Sequence, residues 1–372
     1  MDTQPLPNAE RDALLALWAV PGIGSIGLGG MRRWAAGRWA DLLDTPARDW
    51  VDGFPASELV RARIRAAGSL RAVADEVRER AARGQMQVLH RGDPGYPERL
   101  AEVRDAPPVL FMRGTVARPR RRLALVGTRH PEQGYLRHAR AFAAAVAGAG
   151  AGVVSGAAAG VDRACHLGAL DVGGQTWAFL GSALDMVDPA QARLVPLILD
   201  GGGAVYSELP PGIRASKQTF PRRNRLISGA SDGVLVLRAG RRSGAMHTVA
   251  AARVQGRPIL ACPGETWAEA ALGCNLLVAR GLARLCIGPA EALRAVGLDG
   301  TAPVPGDLEP REMPGLSAAA AQVYALLDRQ PREVEELEER SGLDPGGAVS
   351  ALCELELLGL AVQGPGRRYQ RV

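Results

Sequence analysis

Aromatic side chains are scarce: they make up 4% of the 372 residues. A core built from this chain has to rest on Ala, Leu, Val and Gly. Lysine is almost absent. Lys217 is the only one, and every other basic residue is arginine. The cysteines, Cys165, Cys262, Cys274, Cys286 and Cys353, are widely spaced and form no C-x-x-C pair. That spacing excludes a zinc knuckle and a disulfide framework, and it fits a reducing, cytoplasmic setting. His90, His130, His138, His166 and His247 show no H-x-x-x-H spacing, so no metal is expected. No Ser-His-Asp order can be argued from spacing either. Long apolar runs are missing as well. Residues 141–161 carry no charge, but they are mostly Ala and Gly and break into helix, turn and strand, so no membrane span is expected. No basic-then-apolar leader pattern opens the chain.

What is present is a basic, globular composition. Hydrophobic residues make up 47%, and the formal net charge is +6. The charge is uneven: residues 317–372 hold six Arg against nine Asp plus Glu, so the basic surface belongs to the earlier part of the chain. Such a balance tolerates a polyanionic partner without requiring one.

Residues 9–80 read as helical, with Leu14, Leu15, Leu17, Trp18 and Val20 forming an apolar stripe that ends at Pro21. Gly22-Ile23-Gly24-Ser25-Ile26-Gly27 matches G-x-G-x-x-G. A dinucleotide site needs a strand before those glycines and a ribose-binding acid after the next strand. Neither is present, so the turn reads as helix-hairpin-helix-like, its main task to pack helices. Val88 to Thr115 is a Pro- and Gly-rich bridge expected to run along the next domain, because Val109, Leu110 and Phe111 call for burial.

The periodicity then changes. Leu123–Val126, Gly152–Gly156, Thr176–Leu180, Ala204–Ser207, Gly233–Leu237 and Pro258–Ala261 are short apolar runs separated by helical stretches. This alternation predicts a doubly wound, mostly parallel α/β sheet. Ligands of such sheets bind beyond the carboxyl ends of the strands. Gly127-Thr128-Arg129, Ser155-Gly156, Gly181-Ser182, Asp185, Ser207-Glu208 and Arg238 through Gly244 lie there.

The densest chemistry is Phe220-Pro221-Arg222-Arg223-Asn224-Arg225, with Lys217 just ahead. Pro221 suits the first turn of a helix. Arginine forks and a helix mouth both attract phosphate, and a neighbouring phenyl ring offers a stacking face for a base. The competing reading is a solvated basic turn with Phe220 as a core plug.

Residues 297–316, with Pro303, Pro305, Pro310 and Pro314, read as a linker. Beyond it, helices over Ala321–Leu327, Val334–Ser341 and Pro345–Leu358, then two wing-like strands, predict a winged-helix module. Its third helix carries Glu354 and Glu356 and no basic residue, so a protein-contact or regulatory role is expected for it, with Arg367, Arg368 and Arg371 alone favouring DNA. The expected division is 1–85 helical, 86–296 sheet core, 297–316 linker and 317–372 winged helix.

Taken together, Asp93-Pro94-Gly95-Tyr96-Pro97, Val126 through Arg129, Gly160-Val161-Asp162, Ser207-Glu208, Pro210-Pro211-Gly212, Phe220 through Ser231, Arg242-Ser243-Gly244 and Gly273-Cys274-Asn275 resemble the DNA-processing protein A (DprA, or Smf) family. The resemblance covers almost the whole chain. It implies an extended Rossmann-like core behind a helical N-terminal domain, a homodimer formed through that core, and no catalysis or cofactor. It further implies binding of single-stranded DNA and loading of a RecA-type recombinase during natural transformation. Carried over by position, the DNA pocket would use Arg129, Ser155, Gly156, Lys217, Phe220, Arg222, Arg223, Asn224 and Arg225, with Gly244 lining it. The chain departs from the family where Ala159 replaces an arginine and where His130 replaces a more basic residue; Arg163 is a possible substitute for the lost contact.

Two other readings compete. A nucleotide-processing phosphoribohydrolase would need carboxylates in the cleft, for which Asp162, Asp185 and Glu208 are candidates. The reading beside it has Asp162 as a helix-start cap and Glu208 orienting arginines. A purely structural partner-binding protein would need none of these groups.

Overall fold

A computed structural model describes residues 6–298 and 316–371, apart from 36–38, 116–118, 120, 190, 329, 358–359, 365 and 367. Most of the expected linker therefore lies outside the described residues, as does Arg367. The chain divides into two compact units, 1–307 and 308–372.

The first unit begins with five α-helices: α1 (Asn8–Ala19), α2 (Ser25–Ala35), α3 (Trp39–Asp44), α4 (Glu58–Ala67) and α5 (Leu70–Arg83). Ser57 and Ser69 cap α4 and α5 by accepting from the amides of Val60 and Ala72, which satisfies donors a helix start leaves open. The Gly22–Gly27 string runs from the turn after α1 into the first turn of α2 with no strand before it, and Arg63 donates to the Pro21 carbonyl at 2.6 Å. Gly22, at φ 100°, packs against Val60 and Arg63 of α4, while Gly24 has open space around it.

Next come β1 (Gln87–His90), the short α6 (Glu98–Ala101) and β2 (Val109–Gly114). The bridge supplies two strands, β1 antiparallel to β2 and β2 antiparallel to a later strand. Burial of Val109, Leu110 and Phe111 is thus met inside the sheet, where strand pairing also satisfies their backbone groups.

The alternating region follows: β3 (Arg121–Gly127), α7 (Gln133–Gly148), β4 (Ala151–Ser155), α8 (Val161–Asp171), β5 (Thr176–Phe179), α9 (Leu194–Asp200), β6 (Ala204–Ser207), α10 (Thr219–Gly229), β7 (Gly233–Arg238), α11 (Ala245–Val254), β8 (Ile259–Ala261), α12 (Glu269–Ala279), β9 (Arg284–Leu285) and α13 (Pro289–Ala295). The sheet order is β1-β2-β6-β5-β4-β3-β7-β8-β9, and the strands from β6 to β9 run parallel. The direction of winding reverses between β3 and β7, where Leu123 pairs with Gly233. A crevice at such a reversal is the default ligand site of a doubly wound sheet.

One core cluster joins α1–α5 to Phe111, Ala178 and Val205 of the sheet and to Leu194 of α9. The expected boundary at 85 falls between α5 and β1, and the two parts share that core.

The second unit is built from α14 (Ala318–Leu326), β10 (Arg332–Glu333), α15 (Val334–Ser341), α16 (Pro345–Leu357), β11 (Ala361–Gly364) and β12 (Arg368–Arg371). The three strands order as β10-β12-β11, a winged-helix arrangement around Val323, Leu337, Leu352 and Leu355. Gly342 ends α15 in the left-handed conformation, at φ 68°. Glu354 of α16 accepts from the Ser317 amide and hydroxyl at 2.8 and 2.7 Å, which ties α16 to the start of α14. Two of the wing arginines are engaged too: Arg368 pairs with Glu333 at 2.8 Å, and Arg371 lies 4.0 Å from the Tyr324 ring centroid. Among the described residues no helix is long and apolar enough to cross a membrane, and no cluster of three metal-ligating side chains occurs.

Candidate nucleic-acid interface

A cleft of about 440 Å³ opens at the β3/β7 reversal. The end of β3 supplies Gly127, Thr128 and Arg129, and the first turns of α10 and α11 supply Phe220, Asn224, Ser243, Gly244 and His247. Lys217 enters from the loop before α10, and Asp162 of α8 reaches the floor. Beside the cleft the backbone of α8's start approaches the end of β3 closely. Gly160, at φ 80°, sits where a Cβ would come 2.5 Å from the Thr128 carbonyl.

Pro221 lies in the first turn of α10, as its fixed φ favours. Phe220 beside it is half-buried, not a core plug. The Arg129 guanidinium lies 4.9 Å from the ring centroid, close enough for a cation–π contact. The ring also rests against Gly181, where a Cβ would come 2.9 Å from its Cδ1. Asn224 donates to the Gly244 carbonyl at 3.1 Å and so joins the mouths of α10 and α11.

The three arginines of α10 have separate fates. Arg222 is exposed. Arg223 is only 4% exposed and donates to the carbonyls of Gly156, at 2.5 Å, and Phe179. Its Nε donates to Asn224 Oδ1 at 3.1 Å. Gly156 has to be glycine for this, since a Cβ there would come 2.7 Å from the guanidinium. Burial draws the Arg223 pKa down to about 10 against the pull of Asp162. Arg225 pairs with Glu208 at 2.6 Å and Asp105 at 3.3 Å. Glu208 therefore does orient an arginine, while burial pushes its own carboxyl up.

Of the residues expected at the site, the cleft brings together Arg129, Lys217, Phe220, Arg223, Asn224 and Gly244. Ser155 and Gly156 lie buried beneath it, Ser155 donating to the Leu125 carbonyl at 2.6 Å. Arg222 and Arg225 are not part of its lining. His130 and Ser243, already placed near the strand ends by the sequence, also line it, as do His247 and Thr248, which were not assigned to the site. Their signal was positional: each follows a parallel strand's carboxyl end or opens the helix after it.

Asp162 is the one carboxylate of Asp162, Asp185 and Glu208 that lines the cleft. Burial raises its pKa, opposed by Arg223 and by the amides of Ala158 and Gly127. Those donors occupy it as a structural group. A pair of carboxylates flanking a scissile bond is not what these residues form.

Among the described residues no carboxylate pairs with Arg129, Arg214, Lys217, Arg222, Arg241 or Arg242, although Arg222 is near enough to Glu208 to act on its charge. Arg241 and Arg242 precede the cleft-lining Ser243, and Arg214 precedes Lys217. The arrangement presents hydrogen-bond donors, positive charge and one aromatic face at the rim of the sheet.

Fold and site together define a doubly wound α/β protein with a cationic cleft at its switch point and an appended winged helix. The chain belongs to the DNA recombination-mediator protein A family. That family's model matches residues 87–297, and the DprA winged helix domain matches residues 308–367. Protein Smf of Synechocystis is 31% identical over 319 residues, covering 77% of this chain and 80% of the relative. Protein Smf of Escherichia coli is 34% identical over 276 residues, covering 73% and 74%. DNA processing protein A from Streptococcus pneumoniae superposes with a TM-score of 0.64 at 26% identity, over 78% of this chain and 98% of that one. A structure of DNA processing protein A from Helicobacter pylori, which describes its single-stranded DNA binding mode, superposes with a TM-score of 0.50 at 25% identity, over 57% and 95%.

Proposed function

We propose that the cleft binds single-stranded DNA without regard to sequence and that the protein loads a RecA-type recombinase onto the strand during natural transformation. The observation that carries the reading is the set of cations left without carboxylate partners around a half-buried phenyl ring. Arg129, Lys217 and Arg222 would hold phosphates, which carry no base information, and Phe220 would stack a base of any kind. Arg223 and Arg225 would act from beneath, one fixing the floor and the other the underside of α10. The Helicobacter pylori relative's single-strand binding supports this choice of ligand. Recombinase loading rests on the family's description as a recombination mediator. A homodimer through the sheet core fits the exposed Leu285 and Ile287 at edge strand β9.

The test is a titration of single-stranded against duplex oligonucleotide across salt. Single strand should bind more tightly, with affinity falling steeply as salt rises. Phe220→Ala and Arg222→Ala proteins that hold oligonucleotide as the unaltered protein does would remove the cleft from consideration.

A further inference from the structure

The loop from β6 to α10, residues 208–218, delivers Lys217 to the cleft but has no helix or strand of its own. Two of its attachments come from the N-terminal helices. At its start, the Trp18 indole of α1 donates to the Glu208 carbonyl at 2.7 Å in a buried contact. Further along, Gly212 turns the chain at φ 91°, and its amide donates to Asp185 Oδ1 at 2.9 Å. Arg80 of α5 lies against that turn, its guanidinium 3.7 Å from Asp185 Oδ2, and a Cβ on Gly212 would overlap it. The next carbonyl, Ile213, accepts from the Ala183 amide at 2.8 Å.

Ser216 and Thr219 then close the start of α10. The Ser216 amide donates to Thr219 Oγ1 at 2.9 Å, and the Thr219 amide donates to Ser216 Oγ at 3.2 Å. Only Ile213, itself tied to Ala183, with Arg214 and Ala215 separates this cap from Gly212, which Arg80 and Asp185 hold. A shift at Gly212 therefore has little chain over which to dissipate before it reaches Lys217 and the mouth of α10.

We infer that Trp18 and Arg80 are positioning residues for Lys217: the N-terminal helices set the geometry of the grip while contributing no side chain to the cleft's lining. The inference rests on the reading of the cleft as a single-strand site. Lysine is a point charge on a long stem, so its contribution depends on where its backbone is held.

The experiment uses the full chain and an oligothymidylate of fixed length. Arg80→Met keeps the stem and removes the charge. Trp18→Phe keeps an aromatic ring in the core and removes the donor. Each is compared with Lys217→Ala, and Arg80→Met is combined with Lys217→Ala in a double-mutant cycle, with melting temperature followed for every protein. Arg80→Met and Trp18→Phe should each weaken binding by roughly fivefold, in the range of coupling between connected residues. Once Lys217 is alanine, Arg80→Met should cost nothing further. Wild-type affinity in both single variants, with Lys217→Ala weakened, would overturn the inference and leave the cleft standing. So would an Arg80→Met loss that is undiminished in the Lys217→Ala background, the sign of a merely structural role. Wild-type affinity in Lys217→Ala would instead strike at the cleft reading itself, and the inference would fall with it.

Discussion

Arg222 and Arg223 are adjacent on α10 and should have opposite phenotypes. Arg222 is exposed and, among the described residues, makes no ion pair, so Arg222→Ala removes little that the fold uses. Its stability should stay within about 0.5 kcal/mol of the unaltered protein. If it meets a phosphate, the slope of log affinity against log salt should shrink by about 0.7, the value per phosphate for a single strand. Arg223 reverses this. Its bonds to the Gly156 and Phe179 carbonyls come from a charged donor, at roughly 1.5–3 kcal/mol each. Against them stands the cost of burying the charge. A pKa lowered from 12.5 to about 10 corresponds to about 3 kcal/mol at ~1.4 kcal/mol per pH unit. The difference leaves a net loss on the order of 2 kcal/mol for Arg223→Met, before any repacking. Urea unfolding should show that loss, while fluorescence anisotropy on labelled oligothymidylate, at a temperature where the variant is folded, should show an unchanged salt slope. A stable Arg223→Met, or an Arg222→Ala whose salt slope matches the parent, would refute the division of labour argued for α10.

Phe220→Ala should cost ~1–3 kcal/mol of single-strand binding, the worth of one stacked base, whereas Phe220→Tyr should bind almost normally; anisotropy titrations decide both. Gly181→Ala puts a methyl 2.9 Å from the Phe220 Cδ1, so it should weaken binding without touching any cation, as the same titration would show. Acid should destabilise the first unit through His90. Burial, aided by the charge of Arg11, lowers its pKa from 6.5 to about 4, so below pH 6.5 the unfolded chain takes up a proton that the folded chain refuses. This contribution is complete above pH 6.5 and is lost as pH falls through 4, amounting to about 3 kcal/mol. His90→Gln should flatten that part of a stability-against-pH curve, and parallel curves would exclude His90 as its source. A chain ending at Asp307 keeps the whole first unit and should retain the parent's single-strand affinity and salt slope.

The parallel strands were legible because they are buried on both faces. Leu123–Val126 and Val234–Leu237 are unbroken apolar runs, which is how such strands read. The antiparallel edge was not. Gln87-Val88-Leu89-His90 has no such run, and the prolines around β2 resemble loop punctuation until the pairing of His90 with Val109 is seen. β9 is only two residues long and is defined solely by its partner β8. At the site, the string from Phe220 to Arg225 pointed to the right place but not to which arginines face out. A helical reading held that information. Arg223 stands three and four positions before the buried Leu226 and Ile227, on the same stripe, while Arg222 is turned away from it. Capture of Arg225 depends on Asp105 and Glu208, which are remote in sequence and brought together only by the sheet.

Net charge is therefore a poor guide to where this molecule attracts an anion. Many of its arginines are neutralised where they stand: Arg11 by Asp93, Arg140 by Asp171, Arg238 by Glu132 and Glu265, Arg225 by Glu208. Those pairs cancel at distances beyond a Debye length and leave little long-range field. What remains is the group around the β3/β7 reversal that, among the described residues, has no carboxylate partner, set beside a concave wall that concentrates its potential. The formal excess of +6 is similar in size to that group, so removing two of its members should abolish much of the attraction, whereas removing two arginines from the paired set should change it little. On this view the grip arises as much from where the acidic residues were withheld as from where the arginines were placed.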